Sequence, residues 1–558
     1  MTPAVRIAGL WCRYEEATRP ALADIACELP PGALAVVMGA SGAGKSTLAR
    51  CLTRIVPCFV PAEIRGEITV LGEPVAGRRV GELAGRVGMV FQDFEAQLFS
   101  TDVTQEVVFA LEQTGVPPAD MPARVARALA TVGLAGFDGR DPTTLSGGEK
   151  QRLAIAGLLA LEPPVMLFDE PTTDLDPAGR EEVFAVLRAL RAGGTTLLMI
   201  EHDTRAAVDA ELVVFLREGR VVGQGPPARL LTDLAACRAA GVRPPDVTRV
   251  FAALGVPDPP LDVDAAAARL RAARFVPAMP REPSPASRGE PLVWARGLGH
   301  RYADGRTALA GVDCDIARGE FVALIGRNGS GKTTFAKHLN GLLAPTAGEM
   351  RLGGAPVASL SLEGLASRVG FVFQDPDHQL FAGSVAEEVA FGPRNVGLAP
   401  AEVDRRVAEA LAAVELDARD ADPFLLYKGA RQRLAVAAVL ALRPEMLVLD
   451  EPTTGLDATE QAQMMQLLAR LHATGRTIVI VTHTPWVVAE YAARVLLLEN
   501  GRLRYDGPVR PFLADDALTA AAGFRIPDVT RLGRCLGVTP RSVEELVGWM
   551  PGGPRACP

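Results

Sequence analysis

Short, unbroken apolar runs recur along the chain: residues 34–38, 165–168 and 195–200 in the first half, and 321–325, 446–449 and 477–481 in the second. A strand that is apolar at every position, rather than at every second one, is buried on both faces, as in a parallel sheet covered by helices. Between these runs lie longer stretches with apolar residues at helical spacing, and residues 153–161 follow a Ser-Gly-Gly turn as a helix would. The alternation predicts an α/β fold with a largely parallel sheet in each half. No apolar run approaches the ~18 residues of a membrane span, so the chain is expected not to cross a bilayer alone.

The pattern is doubled. Phe91-Gln92-Asp93 recurs as Phe373-Gln374-Asp375, Phe168-Asp169-Glu170-Pro171-Thr172-Thr173 as Leu449-Asp450-Glu451-Pro452-Thr453-Thr454, and Glu201-His202 as Thr482-His483, in the same order. The ends repeat too: Pro245-Asp246-Val247-Thr248-Arg249-Val250 is answered by Pro527-Asp528-Val529-Thr530-Arg531-Leu532. Between the halves, residues 256–291 are proline-rich, with an Ala/Arg stretch at 265–274 that predicts a short helix in a tether of limited order. The expected organisation is a first domain over 1–240, its C-terminal extension and linker over 241–291, a second domain over 292–520 and a second extension over 521–558.

Composition narrows the partners. A chain of 558 residues is too long for one core, and 48% hydrophobic against 22% charged residues is ample for two. A net charge of −8 argues against a nucleic-acid partner. Eight cysteines without CxxC spacing, and an N-terminus unlike a secretion signal, fit a reducing cytoplasm.

Two phosphate-binding loops supply the chemistry: Gly39-Ala40-Ser41-Gly42-Ala43-Gly44-Lys45-Ser46, followed by Thr47, and Gly326-Arg327-Asn328-Gly329-Ser330-Gly331-Lys332-Thr333, followed by Thr334. Each follows an apolar run and opens a helical pattern, the context in which backbone N–H groups cradle a phosphate and the helix dipole favours the anion. Lys45 or Lys332 adds charge, and Ser46 or Thr333 offers a hydroxyl to Mg²⁺. Downstream, Asp169 and Asp450 close apolar runs where a carboxylate can hold Mg²⁺ through water. Glu170 and Glu451 can polarise an attacking water, and His202 and His483 can reach a γ-phosphate. ATP and Mg²⁺ are the expected ligands.

Leu145-Ser146-Gly147-Gly148-Glu149-Lys150-Gln151-Arg152 then selects among P-loop proteins. This segment resembles the signature of ABC-type ATPases, and Gln92, Glu170, Asp176 and His202 stand where that family places its other motifs. The resemblance implies two tandem P-loop NTPase domains of ABC type, each with a helical subdomain, that pair head to tail so that each signature faces the other half's nucleotide. It also implies Gln92 and Gln374 near Mg²⁺, D-loops at Asp174-Leu175-Asp176 and Gly455-Leu456-Asp457, and adenine stacking on Tyr14 and Tyr302. Where the signature should repeat, the second half reads Leu426-Tyr427-Lys428-Gly429-Ala430-Arg431-Gln432-Arg433. Tyrosine stands for serine and lysine for the first glycine, so the two sites are expected to be unequal.

Gln374-Asp375-Pro376-Asp377-His378-Gln379-Leu380-Phe381, the looser Gln92-Asp93-Phe94-Glu95-Ala96-Gln97-Leu98-Phe99, and Val389-Ala390-Phe391-Gly392-Pro393 are similar to segments of energy-coupling-factor importers. So are the Pro-x-Asp-Val-Thr-Arg appendices. That branch implies an ATP-hydrolysing subunit at the cytoplasmic face of the membrane, docked on an integral coupling protein and acting with a membrane substrate-binding protein. Its cargo is a vitamin, a vitamin precursor or a transition-metal ion. Asp377, Glu387 and Glu388 are expected to meet arginines of the coupling protein. The alternative is a soluble ABC ATPase acting on ribosomes or DNA, which calls for a long charged helical insert or a basic surface that this sequence lacks.

Overall fold

The computed structural model describes residues 2–173, 175, 177–279 and 289–551. Asp174 and Asp176 of the first D-loop-like turn, and residues 280–288 of the linker, lie outside them. The chain divides into two compact units: Met1–Arg249 with Pro257–Leu261 and Asp457–Thr459, and Val250–Val256 with Asp262–Leu456 and Glu460–Pro558.

In the first unit a six-stranded sheet runs, edge to edge, Arg220–Gly225, Leu212–Arg217, Leu34–Gly39, Thr196–Ile200, Val165–Asp169, Val87–Val90; only the outer hairpin pair is antiparallel. A four-stranded antiparallel sheet, Leu22–Leu29, Val5–Tyr14, Ala62–Val70, Glu73–Pro74, accompanies it. The apolar runs are buried strands for the reason the sequence suggested. On the strand Leu34–Gly39, Leu34, Val36 and Met38 enter one core while Ala35 and Val37 enter another on the opposite face. The second unit repeats both sheets, its parallel one running Val369–Val372, Met446–Asp450, Thr477–Val481, Phe321–Ile325, Arg494–Glu499, Arg502–Pro508.

Three helices form the helical layer of each unit: Val103–Gln113, Met121–Thr131 and Gly147–Leu159 in the first, Val385–Asn395, Pro400–Ala413 and Lys428–Leu440 in the second. Asp102 and Ser384 start the leading helices by accepting from Gln105 N and Glu387 N.

The linker differs from the expected loose tether. Residues Val263–Ala272 are a helix whose Val263, Ala266, Ala267 and Leu270 are buried in the second unit. Arg271 donates to the Cys535 carbonyl of the helix Asp528–Cys535, and Ala278 N donates to Trp549 O at 2.9 Å. The proline count masked an apolar stripe at positions 263, 266, 267 and 270, which is spaced to cover one helix face.

Candidate functional site

Strand register brings the functional residues of each unit to one edge of its parallel sheet. Asp169 pairs with Ile200, Val37 with Ile200 and Gly39 with Leu216, so the P-loop, the Asp-Glu pair and His202 leave the sheet together at the carboxyl ends of the strands. Asp450 with Val481 and Leu324 with Val481 do the same in the second unit. This edge is where open α/β sheets bind ligands.

Gly44 and Gly331 sit at φ 98° and 103° immediately before the helices Lys45–Leu52 and Lys332–Leu339. A Cβ at either would collide with the backbone carbonyl of Ala21 or Ala308, so only glycine lets the loop close there. Neither helix start carries a side-chain cap. A helix start without a side-chain cap suits a phosphate. Lys45 Nζ lies 2.9 Å from Gly39 O and 3.0 Å from Ala40 O, and Lys332 Nζ 2.7 Å from Gly326 O and 3.0 Å from Arg327 O. Both ammonium groups thus sit inside their loops. The Ser330 hydroxyl is buried there with no hydrogen-bond partner.

Ser46 Oγ donates to Asp169 Oδ1 at 3.0 Å, and Thr333 Oγ1 to Asp450 Oδ2 at 3.1 Å. Burial pushes the Asp169 carboxyl above its ordinary range, and burial together with the adjacent Glu451 charge pushes Asp450 up to about 6. Each is a carboxylate whose charge the protein leaves under-compensated beside a hydroxyl. A hard oxygen set of this kind fits Mg²⁺, which takes one or two protein oxygens plus phosphate.

The adjacent glutamates have the opposite character. Burial would raise both carboxyls, but His202 and Lys45 more than offset it for Glu170, and His483 and Lys332 for Glu451, so both stay ionised below the usual range. His202 Nε2 is 2.7 Å from Glu170 Oε1, and Gln92 Nε2 donates to Glu170 Oε2 at 3.0 Å. His483 Nδ1 is 2.7 Å from Glu451 Oε1, and Thr482 Oγ1 donates to Glu451 Oε2 at 3.1 Å. Glu170 and Glu451 also hold φ of 51° and 47°, the left-handed region. A non-glycine residue held there stores roughly 1–3 kcal/mol, and such strain clusters at functional sites. The chemistry available is a fixed, ionised base beside a cation site and a phosphate cradle.

Tyr14 and Tyr302 occupy equivalent places, their hydroxyls 3.0 and 2.9 Å from Thr47 Oγ1 and Thr334 Oγ1. The Arg306 guanidinium lies 5.0 Å from the centre of the Tyr302 ring.

Ser146 builds a full capping box: its Oγ accepts from Glu149 N, and Glu149 Oε2 accepts from Ser146 N at 2.7 Å. Gly147 and Gly148 open that helix. Tyr427 starts the matching helix Lys428–Leu440 without a side-chain cap. The residue is 54% exposed and its hydroxyl accepts from Arg433 Nη2 at 2.7 Å. The Lys428 ammonium packs on Gly455, where a Cβ would strike it, and a Cβ on Gly429 would strike Glu460. Lysine is accommodated here because its neighbour is glycine; the first half has Gly147 in the lysine's place and Asp174 in that neighbour's.

One expectation is corrected. Glu388 does not face outward: it is buried, and its Oε2 accepts from Phe381 N at 2.9 Å and Ala382 N at 2.8 Å. Glu106 does the same for Phe99 N and Ser100 N. Asp377 pairs with Arg431 at 2.9 Å, while Glu387 is exposed. These buried acids staple a loop that displays phenylalanine instead. Phe99 and Phe109 meet edge to face at 4.6 Å, Phe381 and Phe391 at 4.7 Å, and all four rings are exposed. The sequence contained this signal as phenylalanines at matching positions of the two halves.

Residues 22–173 and 309–454 match the family model described as ABC transporter. A protein of Caldanaerobacter subterraneus named as an ABC transporter ATP-binding protein is 41% identical over 97% of this chain and 98% of its own length. The chain belongs to the ABC transporter ATPase family. A similarly named Methanosarcina acetivorans protein is 38% identical over 96% of this ABC ATPase and 91% of its own length. Among solved structures, cbiO1 from Clostridium perfringens, titled as part of the ABC transporter complex cbiONQ, is 34% identical with a TM-score of 0.39, covering 44% of this chain and 99% of its own. The protein is an ATP hydrolase built from two tandem ABC domains with mixed α/β sheets. Among its described residues no helix is long and apolar enough to cross a membrane.

Proposed function

We propose that this ATPase, at the cytoplasmic face of the membrane, powers an energy-coupling-factor type importer that takes up a vitamin, a vitamin precursor or a transition-metal ion. The observation that carries this reading is the repeated pair of exposed aromatics, Phe99 and Phe381 on the loops after Gln92 and Gln374, each against Phe109 or Phe391 of the helix that follows. Exposed apolar groups rimmed by polar residues mark interaction surfaces. Phe99, Phe381 and Phe391 stand in the segments that resemble the importer branch, and the pairs give an integral coupling protein an apolar anchor in each half. The membrane substrate-binding protein reaches this subunit through that partner.

At each P-loop the backbone amides and Lys45 or Lys332 hold the phosphates of ATP. Ser46 with Asp169, and Thr333 with Asp450, would hold Mg²⁺ near Gln92 and Gln374; bound there, the cation supplies charge neutralisation at the phosphate oxygens. Glu170 and Glu451 accept the proton of the attacking water, and the histidines hold each carboxylate in place. Tyr14 and Tyr302 carry the adenine. By the family resemblance, Ser146-Gly147-Gly148 serves the nucleotide of the second P-loop and Tyr427-Lys428-Gly429 that of the first. Binding then shifts the membrane partner between states and hydrolysis resets it.

The test is co-purification of integral membrane proteins with the full chain from detergent extracts, alongside a Phe381→Ser/Phe391→Ser variant. The reading expects the variant to lose those partners while keeping its ATP affinity. Partners retained in full, or ribosomal or DNA-bound partners instead, would overturn it.

A further inference from the structure

A cavity of about 80 Å³ in the second unit lies beside the helix Pro400–Ala413 and the end of the helix Lys428–Leu440, with Arg406, Arg443, Arg476 and Glu409 on its walls and Leu471 among its apolar lining. Its arginines are unequally satisfied. Arg406 donates to Glu402 at 2.7 Å and to Ala441 O at 3.1 Å. Arg443 donates to Glu409 at 2.6 Å, whose other oxygen accepts from Arg405 at 2.9 Å. Arg476 has only the neutral Thr474 Oγ1, at 3.4 Å, and no ion pair with a described carboxylate. Burial and the nearby Arg443 charge hold its pKa below the ordinary guanidinium range. Arg405, Arg406 and Arg443 thus share Glu402 and Glu409, and Arg476 adds a fourth cation beside them, a local excess of positive charge.

The first half carries fewer arginines at this place. Alignment of the repeated segments sets Glu162 opposite Arg443 and Thr195 opposite Arg476. There Glu162 accepts from Arg127 at 2.9 Å and lies 3.9 Å from Arg124. The second half thus has arginine where the first has Glu162 and Thr195, and glutamate, Glu409, where the first has Arg127.

We propose that the second unit binds a small phosphate-class oxyanion between Arg443 and Arg476. Planar guanidinium groups present paired donors that match the oxygens of a tetrahedral oxyanion. The cavity has room for one phosphoryl group. Its walls join the helical layer, through Arg406, to the starts of the strands Met446–Asp450 and Thr477–Val481, whose far ends lead to Glu451 and His483. A bound anion would hold the helical layer against the sheet from the side opposite the catalytic edge. Free orthophosphate and the phosphoryl end of a small ester share the required chemistry.

The test is equilibrium dialysis of radiolabelled orthophosphate against the full chain at low ionic strength. Both P-loops are first filled with Mg²⁺ and a non-hydrolysable ATP analogue, so that they take up none. One equivalent should bind, and Arg476→Thr and Arg443→Glu, each installing the first half's residue, should weaken it at least about tenfold with analogue affinity unchanged. Arg476→Lys, which keeps the charge and loses the fork, should fall between, and it decides the matter if the threonine variant does not fold. Competition by unlabelled glycerol 3-phosphate would assign the site to phosphoryl esters, and lack of competition to the free ion. No binding by the unsubstituted chain, or binding that Arg476→Thr or a folded Arg476→Lys leaves unchanged, would overturn the proposal.

Discussion

The two halves of this ABC ATPase share strand order, P-loop geometry and the strained Asp-Glu turn, yet they differ in what surrounds them. Ser146 caps its helix through Glu149, whereas Tyr427 caps nothing and turns its hydroxyl to Arg433. The residue before the histidine that meets each glutamate is Glu201 in the first half, buried and bonded to Thr172 at 2.7 Å; in the second it is Thr482, which donates to Glu451. Cys12 and Cys51 are buried in the core that Tyr14 packs against; Tyr302 instead meets His300, whose ring centre lies 4.9 Å from that of His338. The phosphate cradle is fixed by backbone conformation, which only particular residues can adopt. The environment of the base is set by side chains, and those have diverged.

The comparison can be broken most forcefully at the base. Glu451→Gln should lower ATP turnover of the full chain by about 10²- to 10⁴-fold, the usual cost of losing a positioned base, while leaving nucleotide affinity intact. A fall of less than tenfold in steady-state assays would remove Glu451 from that role.

Next in size is Asp450. Its folded pKa of about 6 lies above the ordinary 3.8, so without Mg²⁺ and nucleotide the folded state holds the proton more tightly and stability falls as pH rises from about 4 to 6. Asp450→Asn should abolish that slope and be more stable than the unsubstituted chain by about 2–3 kcal/mol at pH 7, with no gain at pH 4. Urea unfolding of both proteins at the two pH values checks it, and a gain independent of pH contradicts it.

Thr482→Glu copies the first half's Glu201 beside Glu451. A second carboxylate there raises the pKa of the base, so the acid limb of the pH–rate profile should move to higher pH and turnover at pH 7 should drop roughly tenfold. The smallest effect is expected at the adenine. Tyr14→Ala should weaken ATP binding by about tenfold and Tyr302→Ala by less, because Arg306 already lies over the second ring. Isothermal titration of single-P-loop variants separates the two.

The sequence showed what depends on spacing and residue type: both cradles, both Asp-Glu pairs, the altered second signature and the buried parallel strands. It did not show where acids point. Glu388 reads like a surface charge in Val385–Asn395, but the loop before that helix leaves the N–H groups of Phe381 and Ala382 needing an acceptor, and a buried carboxylate meets that need. Nor did it show that Arg443 and Arg476, far apart in sequence, share one cavity. Such placements arise from tertiary packing, to which local pattern is blind.

The central claim is that the unequal signatures make the two catalytic sites unequal, with Glu451 serving the site completed by Ser146. It is tested most directly by measuring ATP turnover of Glu170→Gln and Glu451→Gln in the full chain, together with any membrane proteins that co-purify with it. The account predicts that Glu170→Gln keeps a substantial fraction of the activity, that Glu451→Gln keeps almost none, and that adding Tyr427→Ser to Glu451→Gln restores part of it. Equal losses in the two single variants, or a greater loss in Glu170→Gln, would contradict it.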